Sequence, residues 1–209
     1  MEQRTVTRAY NFELRAENDE RYGDHIVGRP IVYNSKTDLG WFNEIIEAGA
    51  LDEADLKDVR FLVNHNTDMI PLARSRNNNA NSTMQMLVDS EGMAIRVNLD
   101  TENNSDARNL YSAIKRGDIT GMSFMFSIDD EEWEDLQSDH PTRHIRKIGR
   151  VLEVSAVTFP AYEATEISAR DKEALDSAKA TLESVRSRTL DSEKAALELE
   201  KAKLRNKFF

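Results

Sequence analysis

Short runs of alternating apolar and polar residues fill the chain as far as about Thr165 and predict β-strands. Polar turns, many with Gly or Asn, separate these runs. The predicted strands are Arg8–Arg15, Ile26–Tyr33, Arg60–Val63, Thr83–Val88, Met93–Leu99, Met122–Ile128, His144–Ile148 and Val151–Phe159. We therefore expect a domain built mainly of strands.

Two stretches with apolar residues at helical spacing interrupt this pattern. They cover residues 41–48 and 106–116, and Gly49 and Gly117 are placed to end them. Ser105 is the expected cap of the second helix. The sum is an α+β fold. So many short strands favour a closed or nearly closed β-barrel with a few helices, although a sandwich fits the same pattern.

The pattern changes near Thr165 to a long helix without Pro or Gly. Its apolar residues recur at coiled-coil spacing, with one slip, at Leu175, Ala178, Leu182, Val185, Leu190, Leu197 and Leu204. We divide the chain into a domain of residues 1–165 and a helical tail of residues 166–209. The tail is expected to form a coiled coil or to bind a partner, and the alternative is that it folds back on the domain.

Composition excludes several classes of function. Without cysteine there is no disulfide, no thiolate zinc site and no thiol nucleophile. With four histidines and no cysteine to complete a ligand set, no metal or cofactor is expected. A net charge of -10 argues against nucleic-acid binding. The N-terminus has no signal-peptide core and no apolar run is long enough to span a bilayer, so we expect a cytoplasmic protein without membrane contact.

Three polar side chains stand out at strand positions. His65 follows the apolar run 61–63 inside a polar turn, and Ser123 starts an alternating strand after a glycine turn. Glu153 lies within an otherwise apolar strand, where alternation puts Ser155 on the same face. A carboxylate there needs a basic partner, either Lys or Arg from a neighbouring strand or an imidazole.

Each of these residues has a simple structural explanation, as a turn histidine, a small strand residue and a paired acid. Together they are the parts of a serine hydrolase, in which histidine moves the proton of the serine hydroxyl and an acid orients the imidazole. The chain order His65, Ser123, Glu153 differs from the chymotrypsin, subtilisin and α/β-hydrolase orders, and there is no G-x-S-x-G motif.

Five blocks in order extend this interpretation over about residues 25 to 165. They are "HIVGRPIVYNS", "WFNEIIEAGAL", "FLVNHN", "GDITGMSFMF" and "LEVSAVTFPAYEAT". The set resembles the prohead maturation proteases of tailed bacteriophages, a family whose fold is similar to the herpesvirus capsid assembly protease. The resemblance implies a serine endopeptidase on a herpesvirus-protease-like barrel.

The resemblance also implies a place of action and partners. The enzyme would be made in the host cytoplasm during assembly and enclosed in the procapsid. There it would cut the scaffold protein or the scaffold-like region of the major capsid protein, and also itself, during head maturation. Self-association through the C-terminal helix is expected. The alternative is a catalytically inactive internal scaffold protein that binds through its helical tail.

Roles carry over block by block. His65 corresponds to the general base, Ser123 to the nucleophile and Glu153 to the orienting acid. The herpesvirus relatives use a second histidine as the third member, which makes His144 a rival of Glu153, and Ser155 is a less favoured one. The remaining histidines, His25 and His140, are expected to be surface or turn residues. No oxyanion-hole residue is assigned, because the chain lacks the Arg-Arg pair that those relatives carry.

Overall fold

A computed structural model describes residues 4–10, 14–158 and 169–208 of the 209-residue chain. The described elements are mostly strands, which confirms the α+β prediction. In chain order they are β1 (Arg4–Tyr10), β2 (Leu14–Asp19), β3 (Gly23–Val32), β4 (Lys36–Asp38), β5 (Asn43–Ile46), β6 (Asp58–Val63), β7 (Ala73–Arg76), β8 (Met84–Asp89), β9 (Gly92–Asn98), α1 (Ser105–Arg116), β10 (Gly121–Glu134), β11 (Thr142–Val157) and α2 (Ala169–Phe208).

The strands divide between two sheets. One has seven strands, with β1, β10, β11, β5 and β4 side by side and β6 between β11 and β7. The other has four strands in the order β2, β3, β9, β8. Both sheets contribute to one apolar core, which includes Phe61 and Phe124 from the first and Ile26 and Met93 from the second. The ladders of the described residues do not close, so the predicted barrel is not confirmed.

Strand β11 organises the first sheet. It pairs antiparallel with β10 along most of its length. On its other edge it pairs parallel with β5 at Thr142 to Ile145, and with β6 at Glu153 to Ala156. The strands that carry Ser123 and Glu153 and the strand that leads to His65 are therefore direct neighbours.

The helix predicted over 41–48 is wrong, because this stretch contains strand β5. Pairing with β4 and β11 gives a period of two, in which Glu44 and Ile46 are buried. The Glu44 carboxylate accepts hydrogen bonds from Arg8, with Nη2 to Oε2 at 2.7 Å, and lies 3.4 Å from Arg143 Nη1. Burial opposes its charge, but Arg8 and Arg143 together hold the pKa of the Glu44 carboxyl below its usual range.

The helix predicted over 106–116 is confirmed as α1, and Gly117 ends it with a left-handed φ of 80°. The cap is Asn104 rather than Ser105. The Asn104 side chain accepts hydrogen bonds from the backbone N–H groups of Asp106 and Ala107 at 2.9 and 3.3 Å. Asn and Ser are about equally good caps, so the sequence does not separate the two positions.

The strands predicted over 144–148 and 151–159 form one continuous strand, β11, which ends at Val157. Phe159, the last residue of the second predicted strand, lies outside the described residues. Gly149 lies between the two predicted strands. A Cβ at this position would lie 2.2 Å from Asp129 Oδ1. This glycine therefore serves a close approach of a neighbouring side chain within a continuous strand.

The first half of α2 folds back on the domain. Ala178 and Leu182 are buried against Phe42 and Trp133 of the first sheet. Arg186 Nε and Nη2 donate to Leu136 O and Ser138 O, at 2.6 and 3.1 Å, in the turn between β10 and β11. For this half, the alternative of a helix that packs on the domain holds. The second half exposes Leu190, Leu197 and Leu199.

Candidate active site

The pairing of β10, β11 and β6 brings the predicted site residues to one face of the first sheet. Ser123 lies opposite Ser155, and Met125 lies opposite Glu153. Directly opposed residues of an antiparallel pair point to the same side of the sheet. Ser123, Ser155 and Glu153 therefore share one face, and all three side chains are buried.

His65 and Glu153 form the closest pair of the site. His65 Nδ1 lies 2.6 Å from Glu153 Oε1. A carboxylate can only accept, so Nδ1 is the protonated ring nitrogen and Nε2 is left as the basic one. The Glu153 side chain is 4% exposed and that of His65 is 17% exposed. The imidazole thus links a buried acid to the protein surface.

Ser155 holds the second carboxylate oxygen. Ser155 Oγ donates to Glu153 Oε2 at 2.6 Å. Ser155 Oγ also accepts a hydrogen bond from the His65 backbone N–H at 3.1 Å. Arg60 lies opposite Glu153 in the parallel ladder, but its guanidinium pairs with Asp58 at 3.2 Å. Of the partners considered for Glu153, the structure therefore has the imidazole, supplemented by a hydroxyl.

The turn that carries His65 has a backbone that few residues adopt. Asn64 and His65 both have positive φ, at 51° and 56°. Strand β11 holds this turn: Asn64 N donates to Ala156 O at 2.9 Å, and Thr158 N donates to Asn64 Oδ1 at 2.9 Å. Such strain persists where the surroundings fix it, which is common at functional sites.

Ser123 makes a different contact. Its hydroxyl donates to the backbone carbonyl oxygen of Arg8 at 2.7 Å, and the residue is 0% exposed. Arg8 belongs to β1, the edge strand that pairs with β10. A hydroxyl has one proton, so in this arrangement the Ser123 proton is directed to β1 and not to an imidazole.

The other histidines lie elsewhere. His144 Nδ1 and Nε2 contact Glu47 at 3.1 Å and Glu134 at 3.2 Å. It precedes Glu153 by nine positions of β11, roughly 30 Å of extended strand. His140 Nε2 lies 3.4 Å from Asp38, at a turn as expected. The expectation that His25 is a surface or turn residue is wrong, since it is 2% exposed within β3 and Nδ1 contacts a backbone carbonyl.

Sequence reasoning missed one group of the site and gave another, Ser155, a different role. The Arg8 carbonyl has no side-chain signature, so no pattern could have indicated it. Ser155 had a signal in its alternation with Glu153, but its contact with the His65 backbone depends on the turn geometry. Within the described ranges, no cluster of three or more His, Asp or Glu could hold a metal ion. Neither described helix combines the length and apolarity of a membrane span.

Comparison with known proteins bears on the family to which the chain belongs. The sequence matches the family described as Caudovirus prohead serine protease over residues 10–180. The prohead protease of Enterobacteria phage HK97 is 30% identical over 161 residues, which are 75% of this chain and 64% of that protein, so the chain spans less than two thirds of this relative. The solved structure of the bacteriophage T4 capsid assembly protease has a TM-score of 0.39 and 13% identity, with 74% of this chain and 99% of that chain covered. Since the family match takes in well over half of the sequence, the chain belongs to the Caudovirus prohead serine protease family.

Proposed function

We propose that this protein is a serine endopeptidase of the phage procapsid, which cleaves the scaffold protein or the scaffold-like region of the major capsid protein, and also itself. The observation that carries the proposal is the contact of 2.6 Å between His65 Nδ1 and Glu153 Oε1, on the face that also holds Ser123. Family membership supports the same reaction class. Synthesis in the host cytoplasm and enclosure in the procapsid follow from this function.

The three residues divide the chemistry as follows. His65 Nε2 takes the Ser123 proton while Ser123 Oγ bonds to the carbonyl carbon of the scissile peptide. The imidazolium then gives that proton to the leaving amine, and an acyl-enzyme remains. Water, deprotonated by the same nitrogen, then bonds to the acyl carbon, the bond to Ser123 Oγ breaks, and the imidazolium returns the proton to Ser123. Glu153 keeps the proton on Nδ1 and stabilises the imidazolium.

Catalysis requires Ser123 to exchange its hydrogen bond with Arg8 O for one with the imidazole. The hydroxyl must turn away from Arg8 O, and the substrate must gain access to a residue that is 0% exposed. The present contact therefore corresponds to a resting state of the enzyme. It is also the observation that favours the second candidate function, a catalytically inactive internal scaffold protein.

Co-expression with the cognate major capsid protein separates these functions. Intact-mass analysis of the capsid protein should give a truncated species with the wild-type chain and only the full-length species with Ser123→Ala. Full-length capsid protein with both chains, together with normal procapsids, would leave the inactive scaffold protein as the function.

Glu153→Gln should fold normally and cleave capsid protein slowly. The amide of Gln can donate a hydrogen bond to an unprotonated Nδ1 of His65, which leaves the proton on Nε2. The tautomer with a basic Nε2 then becomes rare. We expect a fall in kcat of roughly 10³-fold to 10⁴-fold, less than the loss caused by removing the nucleophile. Initial rates of capsid-protein cleavage measure this change.

His144→Ala is the matched control for this substitution, because its contacts with Glu47 and Glu134 lie far along β11 from Glu153. It should cleave at close to the wild-type rate. A wild-type rate for Glu153→Gln together with an inactive His144→Ala would assign a Ser-His-His triad and refute the role of Glu153.

The distal half of α2 is proposed to recruit the enzyme to the assembling capsid or scaffold protein, or to a second copy of the chain. Leu190, Leu197 and Leu199 are 47%, 51% and 59% exposed and have a heptad-like spacing at the first two positions. The proximal half already contacts the domain. The recruitment function is therefore assigned to the residues that follow Thr189.

Two truncations test this division of the tail. Deletion of residues 190–209 should leave the Tm and the cleavage of denatured capsid protein unchanged, while incorporation into procapsids falls. Deletion of residues 170–209 also removes Ala178 and Leu182, which exposes Phe42 and Trp133, so the Tm should fall and dye binding should rise. Normal incorporation of the shorter deletion would refute recruitment by the distal half.

A further inference from the structure

We propose that Ser155 is a positioning residue of this protease: its hydroxyl fastens the Glu153 carboxylate and the His65 backbone to each other. The inference deepens the proposed function and rests on it. It gives a role to a buried hydroxyl that neither attacks substrate nor takes a proton from it.

Geometry carries the inference. Ser155 Oγ uses its one proton toward Glu153 Oε2 at 2.6 Å and receives the His65 N–H at 3.1 Å. The other carboxylate oxygen is taken by His65 Nδ1. The three hydrogen bonds form a closed circuit: Ser155 bonds to the Glu153 carboxylate and to the His65 backbone, and the Glu153 carboxylate bonds to the His65 ring. Since Ser155 is 0% exposed, solvent does not reach its hydroxyl.

The first consequence concerns Glu153. With a partner on each oxygen, the carboxylate cannot turn about its terminal bond without breaking one of the two hydrogen bonds. Loss of the Ser155 hydroxyl would leave Oε2 buried without that donor, which is costly for a charged group. The carboxylate would then turn toward another donor, and its hold on Nδ1 would weaken.

The second consequence concerns the backbone of His65. Its positive φ of 56° follows another positive φ at Asn64. Asn64 is held by Ala156 O and by Thr158, whereas the N–H of His65 itself is held by Ser155. The hydroxyl therefore fixes the ring from two sides, through its carboxylate partner and through its own backbone.

The effect should appear in the chemical step and not in substrate binding, because Ser155 is buried and bonds to Glu153 and His65. Misplacement of a catalytic group by about 1 Å can cost roughly 10²-fold in rate. We expect loss of the hydroxyl to lower kcat by about 10-fold to 100-fold with KM unchanged.

Ser155→Thr and Ser155→Val provide a matched pair. Both add a branched side chain of nearly the same shape to a strand position, and only Thr keeps the hydroxyl. Rates of cleavage of the cognate major capsid protein by the full chain should stay within about threefold of wild type for Thr and fall about 10-fold to 100-fold for Val. Equal rates for the two variants, normal or equally lowered, would overturn the proposal.

A second measurement does not depend on activity. In a Ser123→Ala background with labelled histidine, the proton on His65 Nδ1 should give a slowly exchanging, downfield NMR signal, assigned by its absence in His65→Gln. It should persist in Ser155→Thr and disappear in Ser155→Val. Persistence in both, or absence before Ser155 is changed, refutes the circuit.

These measurements separate the two proposals. If Ser123→Ala still cleaves capsid protein, the proposed catalytic site fails, and the NMR comparison still decides the role of Ser155. If Ser123→Ala is inactive and Thr and Val behave alike, only the role of Ser155 fails. Should the added methyl group lower the Tm of both variants, Ser155→Ala removes the hydroxyl without adding volume and should reproduce the behaviour expected of Val.

Discussion

Ser123→Ala should abolish cleavage of the capsid protein and leave the fold intact. Removal of a serine nucleophile eliminates the covalent pathway, and we expect a loss of about 10⁵-fold or more in kcat. The substitution also removes the hydrogen bond from Ser123 to Arg8 O, a carbonyl of strand β1, which pairs with β10. Because this bond joins two neutral groups, its loss should lower the free energy of unfolding only slightly. Intact-mass analysis after co-expression measures the loss.

Ser127→Ala is the matched control. Ser127 lies on the same strand, is 2% exposed, and its hydroxyl has no hydrogen-bond partner among the described residues. Its removal should therefore leave cleavage unchanged. Processing at the wild-type rate by Ser123→Ala, or equal losses in both variants, would contradict the assignment of Ser123 as nucleophile.

His65→Ala should be as inactive as Ser123→Ala. Without the imidazole no group takes the serine proton or protonates the leaving amine, and residues that act as one unit lose nearly the whole effect when either is removed. The wild-type rate should also fall as the pH is lowered, because a protonated imidazole cannot act as a base. Cleavage rates at saturating substrate over a series of pH values measure the dependence.

His140→Ala is the control for this histidine, since His140 is partly exposed at a turn and its Nε2 lies 3.4 Å from Asp38, away from the candidate site. It should keep both the wild-type rate and the wild-type pH dependence. A rate that stays flat as the pH falls, where chemistry limits turnover, would count against His65 as the base.

Most strands of the fold could be predicted because their two-residue period is a local property. The stretch 41–48 could not, because its spacing fits a helix and only its neighbours, β4 and β11, decide that Glu44 and Ile46 turn inward. The prediction also divided β11 into two strands on either side of Gly149, where the constraint on the glycine is the Asp129 carboxylate beside it. These differences arise where pairing with distant residues outweighs local preference.

The candidate site divides in the same way. Alternation placed Glu153 and Ser155 on one face, and a carboxylate in an apolar strand required a partner, so a contact with an imidazole or with Lys or Arg was expected, and the structure decides between them. The left-handed backbone of Asn64 and His65 and the Arg8 carbonyl beside Ser123 could not be predicted. They depend on the backbone path and on which strand lies at the sheet edge, and neither leaves a side-chain pattern.

The length of α2 affects how the size of the protein is measured in solution. Its 40 residues extend about 60 Å, whereas a compact domain of about 160 residues has a radius of gyration of only roughly 15 Å. A long helix increases the frictional coefficient of the monomer. The monomer should therefore diffuse more slowly and elute earlier in gel filtration than a sphere of 23.9 kDa. An early elution volume would then mimic a dimer. Light scattering or sedimentation equilibrium, which report mass independently of shape, distinguishes an elongated monomer from true self-association.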